Sequence, residues 1–138
     1  MRLHEITTAD WLVQQREKLA RRPAYQAELL SQEHRFFATI VANLLRITPD
    51  AEEIWLHGSR AIGEHRRTSD WDFVVFLPSL TPERRVELHA RGGGFDFERL
   101  AGRKVDVQAE DITRNDDFIR VVRDEGMRIW AKNSPQPA

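Results

Sequence analysis

The chain has 138 residues, 21 Lys and Arg against 22 Asp and Glu, no cysteine and a formal net charge of −1. This length favours one domain with a core that needs no covalent staple, and the missing cysteine excludes a disulfide framework, a thiolate metal site and a cysteine nucleophile. Balanced charge argues against a general nucleic-acid binder, and 41% apolar with 31% charged residues describes a globular chain rather than a disordered one.

No stretch reads as membrane-spanning. The most apolar run, Phe36–Leu45, is interrupted by Thr39 and Asn43 and falls well short of the roughly 20 apolar residues that a spanning helix needs. The opening residues Met1–Glu5 lack the basic start and apolar run of a signal peptide, so a cytoplasmic setting is expected.

From the N-terminus, Thr8 is placed to cap a helix carrying Trp11, Leu12 and Leu19. Pro23 suits the first position of a second helix. In that helix Leu29, Leu30, Phe36, Phe37, Ile40, Val41, Leu44 and Leu45 recur at helical spacing and form one apolar face that ends before Pro49. Packing against a sheet is the ordinary meaning of such a face; a partner-helix or dimer surface is the alternative.

The period then changes. Ile54–His57 is a short apolar run suited to a buried strand and is stopped by Gly58. Residues Ser59–Glu64 fit a short helix, and Arg66–Ser69 a polar loop. Trp71–Leu77 reads as a strong strand, ended by Pro78. Thr81 and Pro82 open a helix to about Arg91, and Gly92–Gly94 is expected to be a flexible loop near the functional face. Val105 and Val107 flank Asp106 in a third strand. Asn115–Glu125 reads as a helix ended by Gly126, and Met127–Trp130 as a short fourth strand. Lys132–Ala138, with Pro135 and Pro137, reads as a frayed tail. Helices that precede and alternate with three or four strands predict a small α/β domain.

Three short pieces carry the chemistry. Gly58 allows close approach of a ligand because it has no side chain. Ser59, opening a helix, adds a hydroxyl beside outward-pointing amides, a favourable anion site; the plain alternative is a helix cap. Asp70 and Asp72 follow, placed on one face of a strand with Cα atoms about 6–7 Å apart. Two carboxylates beside a phosphate cradle suit Mg²⁺, which prefers one or two carboxylates plus phosphate oxygens; a turn or capping role is the alternative. Asp106 is the natural third carboxylate, since an acidic residue among valines needs a metal or a partner such as an arginine. Arg60 stands beside the cradle and could reach phosphate, as could Arg66, Arg67, Arg103 and Lys104, although a solvated surface role is the commoner one. His57 reads as a strand-end packing residue and Trp71 as core.

Taken together, Gly58-Ser59, ten intervening residues, Ser69-Asp70-Trp71-Asp72 and the later Val105-Asp106-Val107 resemble the nucleotidyltransferase superfamily that includes DNA polymerase beta, in its minimal nucleotidyltransferase form. The resemblance covers roughly Glu53 to Trp130. It implies an α/β fold of the α+β type, with a mixed sheet of three to five strands flanked by helices. Residues 1–131 would form a single domain, with a helical N-terminal segment over 1–50. It implies nucleotide binding by Gly58, Ser59, Arg60 and Ser69, two Mg²⁺ ions held by Asp70, Asp72 and Asp106, and transfer of AMP from ATP, or of another nucleotide, to an acceptor hydroxyl. It also implies a candidate partner, a HEPN-type ribonuclease toxin for which this chain would be the antitoxin; a homo-oligomer is left open and nucleic acid is disfavoured. Transfer to a small acceptor such as an antibiotic, and a non-catalytic partner-binding module, are the alternatives.

Overall fold

The computed structural model describes residues 8–133. Residues 1–7 and 134–138, on which the leader reading and most of the expected tail fall, lie outside the described residues. Two helices come first, α1 (Thr8–Gln32) and α2 (His34–Ile47). The boundary between them is not at Pro23, which lies inside α1, but at Glu33, where the backbone leaves the helical region (φ −108°, ψ 20°). Pro23 is exposed, so water can replace the hydrogen bond that its ring removes, and the helix tolerates it. The break at Glu33 lets α2 lay Phe36, Phe37, Ile40 and Leu44 on a sheet while Leu29 of α1 stays buried. Burial of each such side chain contributes about 1.5–3 kcal/mol.

After α2 come β1 (Glu53–His57), α3 (Ser59–Ile62), β2 (Trp71–Leu77), α4 (Pro82–His89), β3 (Arg99–Leu100), β4 (Arg103–Asp111), α5 (Asp117–Glu125) and β5 (Met127–Ala131). The strands form one mixed sheet in the order β3-β4-β2-β1-β5. Strands β2 and β4 are parallel, joined by a crossover containing α4, and the other pairs are antiparallel. This is the expected mixed α+β architecture, with the short β3 added to the four anticipated strands.

Side-chain alternation along β2 explains its unbroken apolar run. Trp71, Phe73, Val75 and Leu77 join the cluster under α1 and α2, whereas Val74 and Phe76 pack under Ile119 and Val122 of α5. Helix starts follow the capping rules: Thr81 Oγ1 accepts from the Arg84 N–H, and Asp116 Oδ1 from the Ile119 N–H.

Within the Gly92–Gly94 stretch, expected as a flexible loop near the functional face, Gly93 and Gly94 are closely packed, whereas Gly92 stands open at φ +81°. A Cβ on Gly93 would lie 2.1 Å from the Glu87 carbonyl oxygen, and one on Gly94 would lie 2.5 Å from Ile47 of α2. The glycines fold the chain down onto the end of α4, where the Phe95 N–H donates to the Leu88 carbonyl.

Candidate active site

The C-terminal end of β1 meets the N-terminal ends of β2 and β4, and the register aligns three side chains there. His57 is the partner of Asp72, and Asp72 is the partner of Asp106. Adjacent strands lie about 4.8 Å apart, and residues in register project to one face. Asp70, two residues before Asp72, shares that face. The proximity of the three carboxylates shows electrostatically. Burial, with the negative charges of Asp106 and then Asp70, pushes the Asp72 carboxyl up to about 6. His57 packs edge-to-face on Phe118, 5.5 Å between ring centres. Burial lowers its pKa, against the opposing pull of Asp106, so the imidazole is neutral at pH 7.

Directly after β1 the chain turns through Gly58 at φ +76° and ψ −163°, a conformation that residues with side chains rarely adopt. A Cβ there would stand 2.7 Å from Asp72 Oδ2. Glycine is therefore required twice over, by the backbone and by the carboxylate beside it. Ser59 begins the single turn of α3, and its hydroxyl makes no hydrogen bond among the described residues.

Helix α1 holds this turn in place. Tyr25 Oη donates to the Arg60 carbonyl at 2.6 Å, and Gln26 Nε2 donates to the carbonyls of Ala61 (2.8 Å) and Glu125 (3.0 Å). A four-residue helix cannot satisfy its own last carbonyls, and these side chains do so from outside. No local motif around Tyr25 or Gln26 announces that task.

Arg60 and Ser69 are brought to each other rather than to the carboxylate row. Arg60 Nε and Nη2 donate to the Ser69 carbonyl, and Nη2 also donates to the Arg67 carbonyl. The Ser69 hydroxyl accepts from the Arg66 N–H at 2.9 Å. Together they shape the loop that delivers Asp70. The guanidinium of Arg60 lies 4.5 Å from the ring centre of Trp71, which is buried on the α2 side of the sheet.

The plain alternatives for the carboxylates do not match this geometry. Asp106 is exposed, and among the described residues Asp70, Asp72 and Asp106 form no ion pair and accept no capping hydrogen bond. A buried salt bridge does exist in β4, but at Glu110, which Arg85 and Arg114 both contact. Burial raises the pKa of Glu110, but hydrogen bonds from Arg114, Arg85 and Gln108 outweigh it and leave the group below its usual range. The sequence hint to this group was the polar alternation Asp106, Gln108, Glu110 along one face of the strand.

Among the described residues, no three acidic, His or Cys side chains are gathered closely enough to hold a metal ion by themselves. The donor set nonetheless fits Mg²⁺, a hard cation that takes one or two carboxylates and completes its shell with phosphate oxygens and water.

Residues 38–129 match the family model described as nucleotidyltransferase domain. Three solved structures are similar to the chain. A toxin-antitoxin crystal structure with AMP-PNP is 21% identical, covering 70% of this chain and 74% of that one, with a TM-score of 0.49. A Sulfolobus solfataricus protein assigned as a nucleotidyltransferase is 22% identical, covering 80% and 87%, with a TM-score of 0.48. A mutant of the toxin-antitoxin MntA-HpeT is 20% identical, covering 70% and 74%, with a TM-score of 0.46. No curated protein matches the sequence. Among the described residues, no helix is long and apolar enough to cross a membrane.

Proposed function

From the premise that the chain belongs to the nucleotidyltransferase domain family and is a nucleotidyltransferase, we propose that it transfers AMP from ATP to an acceptor hydroxyl, with Mg²⁺ held by Asp70, Asp72 and Asp106. The observation that carries the reading is the row of carboxylates without cationic partners beside the Gly58-Ser59 turn. Bound Mg²⁺ supplies charge neutralisation on the phosphates and a lowered pKa for the attacking hydroxyl.

The chain's own residues do the rest. Gly58 lets the Asp72 carboxylate lie against the backbone of the turn, and the Ser59 hydroxyl donates to a phosphate. Asp72 and Asp70 would hold the cation that neutralises the triphosphate. Asp106 lies on β4, two strands from β1 and its Gly58 turn, and in this reading its carboxylate receives the acceptor's hydroxyl proton. The acceptor oxygen forms a bond to the α-phosphorus as the bond to the β-phosphate bridge breaks, and pyrophosphate leaves. Positioning and electrostatics supply most of the catalysis in such a transfer.

The acceptor in this reading is a hydroxyl on a partner protein, with a HEPN-type toxin as the candidate that the sequence resemblance implies. The exposed apolar side chains Trp11, Leu12, Val13 and Leu19 of α1 favour a protein partner. The test is incubation with α-labelled ATP, Mg²⁺ and the candidate acceptor. Label is expected on the acceptor with the wild type. It should disappear with EDTA and with Asp70→Asn or Asp106→Asn, while circular dichroism shows the fold intact. Full activity of either variant, or no calorimetric binding of Mg-ATP, would overturn the reading.

A further inference from the structure

The edge of β4 that faces away from β2 is covered by a strand only at its start. Arg103 and Lys104 pair with β3, and no strand continues beyond them on that side among the described residues. Helix α4 stands against the far end, where the Ala109 N–H donates to His89 Nε2 at 3.2 Å. Main-chain groups of alternate residues in a strand point to the same edge, so those of Val107 face the interval between β3 and His89. Outside the β2 ladder, the Val107 main chain makes no hydrogen bond among the described residues. A recess of about 280 Å³ opens at this interval, lined by Arg85, His89, Asp106, Val107 and Gln108.

The recess shares Asp106 with the carboxylate row but lies on the side of β4 away from Asp72. A chain added along this edge places its residue in register with Asp106 about 4.8 Å from β4, and that side chain projects to the face of Asp72 and Asp106. The row then runs from the Gly58 turn through Asp72 and Asp106 to the added side chain. Two residues along, the added chain stands beside Gln108, where Arg85 lines the recess. Arg85 Nη1 and Nη2 donate to Glu110 at 3.4 and 2.9 Å, which uses two of the five N–H donors of a guanidinium. Its side chain is 41% exposed, and it is the one basic residue besides the neutral His89 in the lining. The volume falls just under the roughly 300–1,000 Å³ of small-molecule pockets and suits a side chain better than a whole small-molecule acceptor.

We propose that the acceptor is an extended segment of a partner protein that adds to the free edge of β4, its hydroxyl residue in register with Asp106 and an acidic residue two positions away on Arg85. The proposal rests on the nucleotidyl-transfer reading and names the acceptor class for that same site. Main-chain bonds to Val107 hold the segment, as in other recognition by strand addition, and alternate side chains give the specificity. The exposed donors of Arg85 match a carboxylate fork.

The experiment follows label from α-labelled ATP with Mg²⁺ and the full chain. The acceptors are seven-residue peptides with a central Ser, Thr or Tyr, Val on either side of it and Glu two residues away in both directions. At least one is expected to take label. Its kcat/KM should fall at least tenfold when Lys replaces both Glu residues, and at least tenfold when the backbone is N-methylated throughout. In Arg85→Gln the preference for Glu over Lys should shrink to threefold or less, with calorimetric binding of Mg-ATP unchanged. Should that variant not fold, the peptide comparison on the wild type decides. Mg-ATP binding without label on any peptide, equal use of the Lys or N-methylated peptides, or a preference that survives Arg85→Gln would each overturn the proposal. So would label on an aminoglycoside or an RNA 3′ end in place of the peptides. Failure to bind Mg-ATP strikes the transfer reading itself, whereas a wrong acceptor with Mg-ATP bound strikes this proposal alone.

Discussion

Asp72 should destabilise the metal-free protein at neutral pH, and removing its charge should stabilise it. Its carboxyl rises from the ordinary 3.8 to about 6 in the folded chain, because burial and then Asp106 and Asp70 disfavour the ionised form. At 1.36 kcal/mol per pKa unit the full shift corresponds to about 3 kcal/mol, and solvent screening at this half-buried site brings the cost of ionisation in the folded state to about 1–2 kcal/mol. The folded state holds the proton more tightly. Stability from this group is therefore complete below pH 3.8 and lost as pH rises through 6. Asp72→Asn cannot ionise and escapes the loss. In EDTA at pH 7.5 the variant should unfold about 3–8 °C above wild type, on the scaling of Tm with stability for a domain of this size. The gap should close as pH falls toward 4, and millimolar Mg²⁺ with a nucleotide should shrink or invert it by stabilising wild type alone. Thermal unfolding followed by circular dichroism between pH 4 and 8 measures all of this. An Asp72→Asn protein no more stable than wild type at pH 7.5, or a gap that ignores pH, would refute the clustering of these carboxylates.

Gly58→Ala should cost roughly 1–3 kcal/mol for the backbone conformation alone, and its Cβ would displace the Asp72 carboxylate from 2.7 Å. Thermal unfolding should fall by several degrees, and labelled transfer at least tenfold. Tyr25→Phe removes the hydrogen bond to the Arg60 carbonyl and should lower stability by about 1 kcal/mol in urea unfolding. It should also raise KM for ATP several-fold, because the turn after Gly58 loosens. Glu110→Gln deprives Arg85 and Arg114 of a buried carboxylate. Because the arginines are 41% and 35% exposed, we expect about 1–3 kcal/mol in urea unfolding rather than the full cost of a buried pair. The native pKa of Glu110 is lowered, so its contribution is present above pH 4.5 and lost as pH falls. The deficit of the variant should narrow in acid.

Strong patterns made much of this fold legible in the sequence. Trp71–Leu77 reads as a strong strand, which the structure buries on both faces, and the spacing of Phe36, Phe37, Ile40 and Leu44 marks the buried face of α2. The helix boundary was misplaced because Pro23 carries a general penalty, and only tertiary context shows that its exposed position makes the penalty tolerable. Gly92–Gly94 looked loose because glycine signals conformational freedom and close packing alike, and only the neighbouring Glu87 and Ile47 atoms decide between them. Strand β3 is two residues long in a polar stretch and has no period to read. The pairing of β2 with β4, which sets Asp72 beside Asp106, is a contact between segments 34 residues apart that no local signal encodes. Motif resemblance supplied it, and the register supplied its physical form.

The local order Ser69-Asp70-Trp71-Asp72 has a consequence that the overall charge conceals. Because a strand sends alternate residues to opposite faces, one short segment supplies carboxylates to one side and, through Trp71 and the carbonyl of Ser69, the platform that fixes Arg60 on the other. Acid gathers on one face, at Asp70, Asp72 and Asp106, and the Trp71 side carries Arg60 and Arg103, while the register sends Lys104 and its partner Arg99 to the acidic face. A net charge near zero therefore conceals local charge of both signs at the start of β2 and β4. Residue alternation at the start of a single strand is enough to set carboxylates on one side of the sheet and the seat of Arg60 on the other.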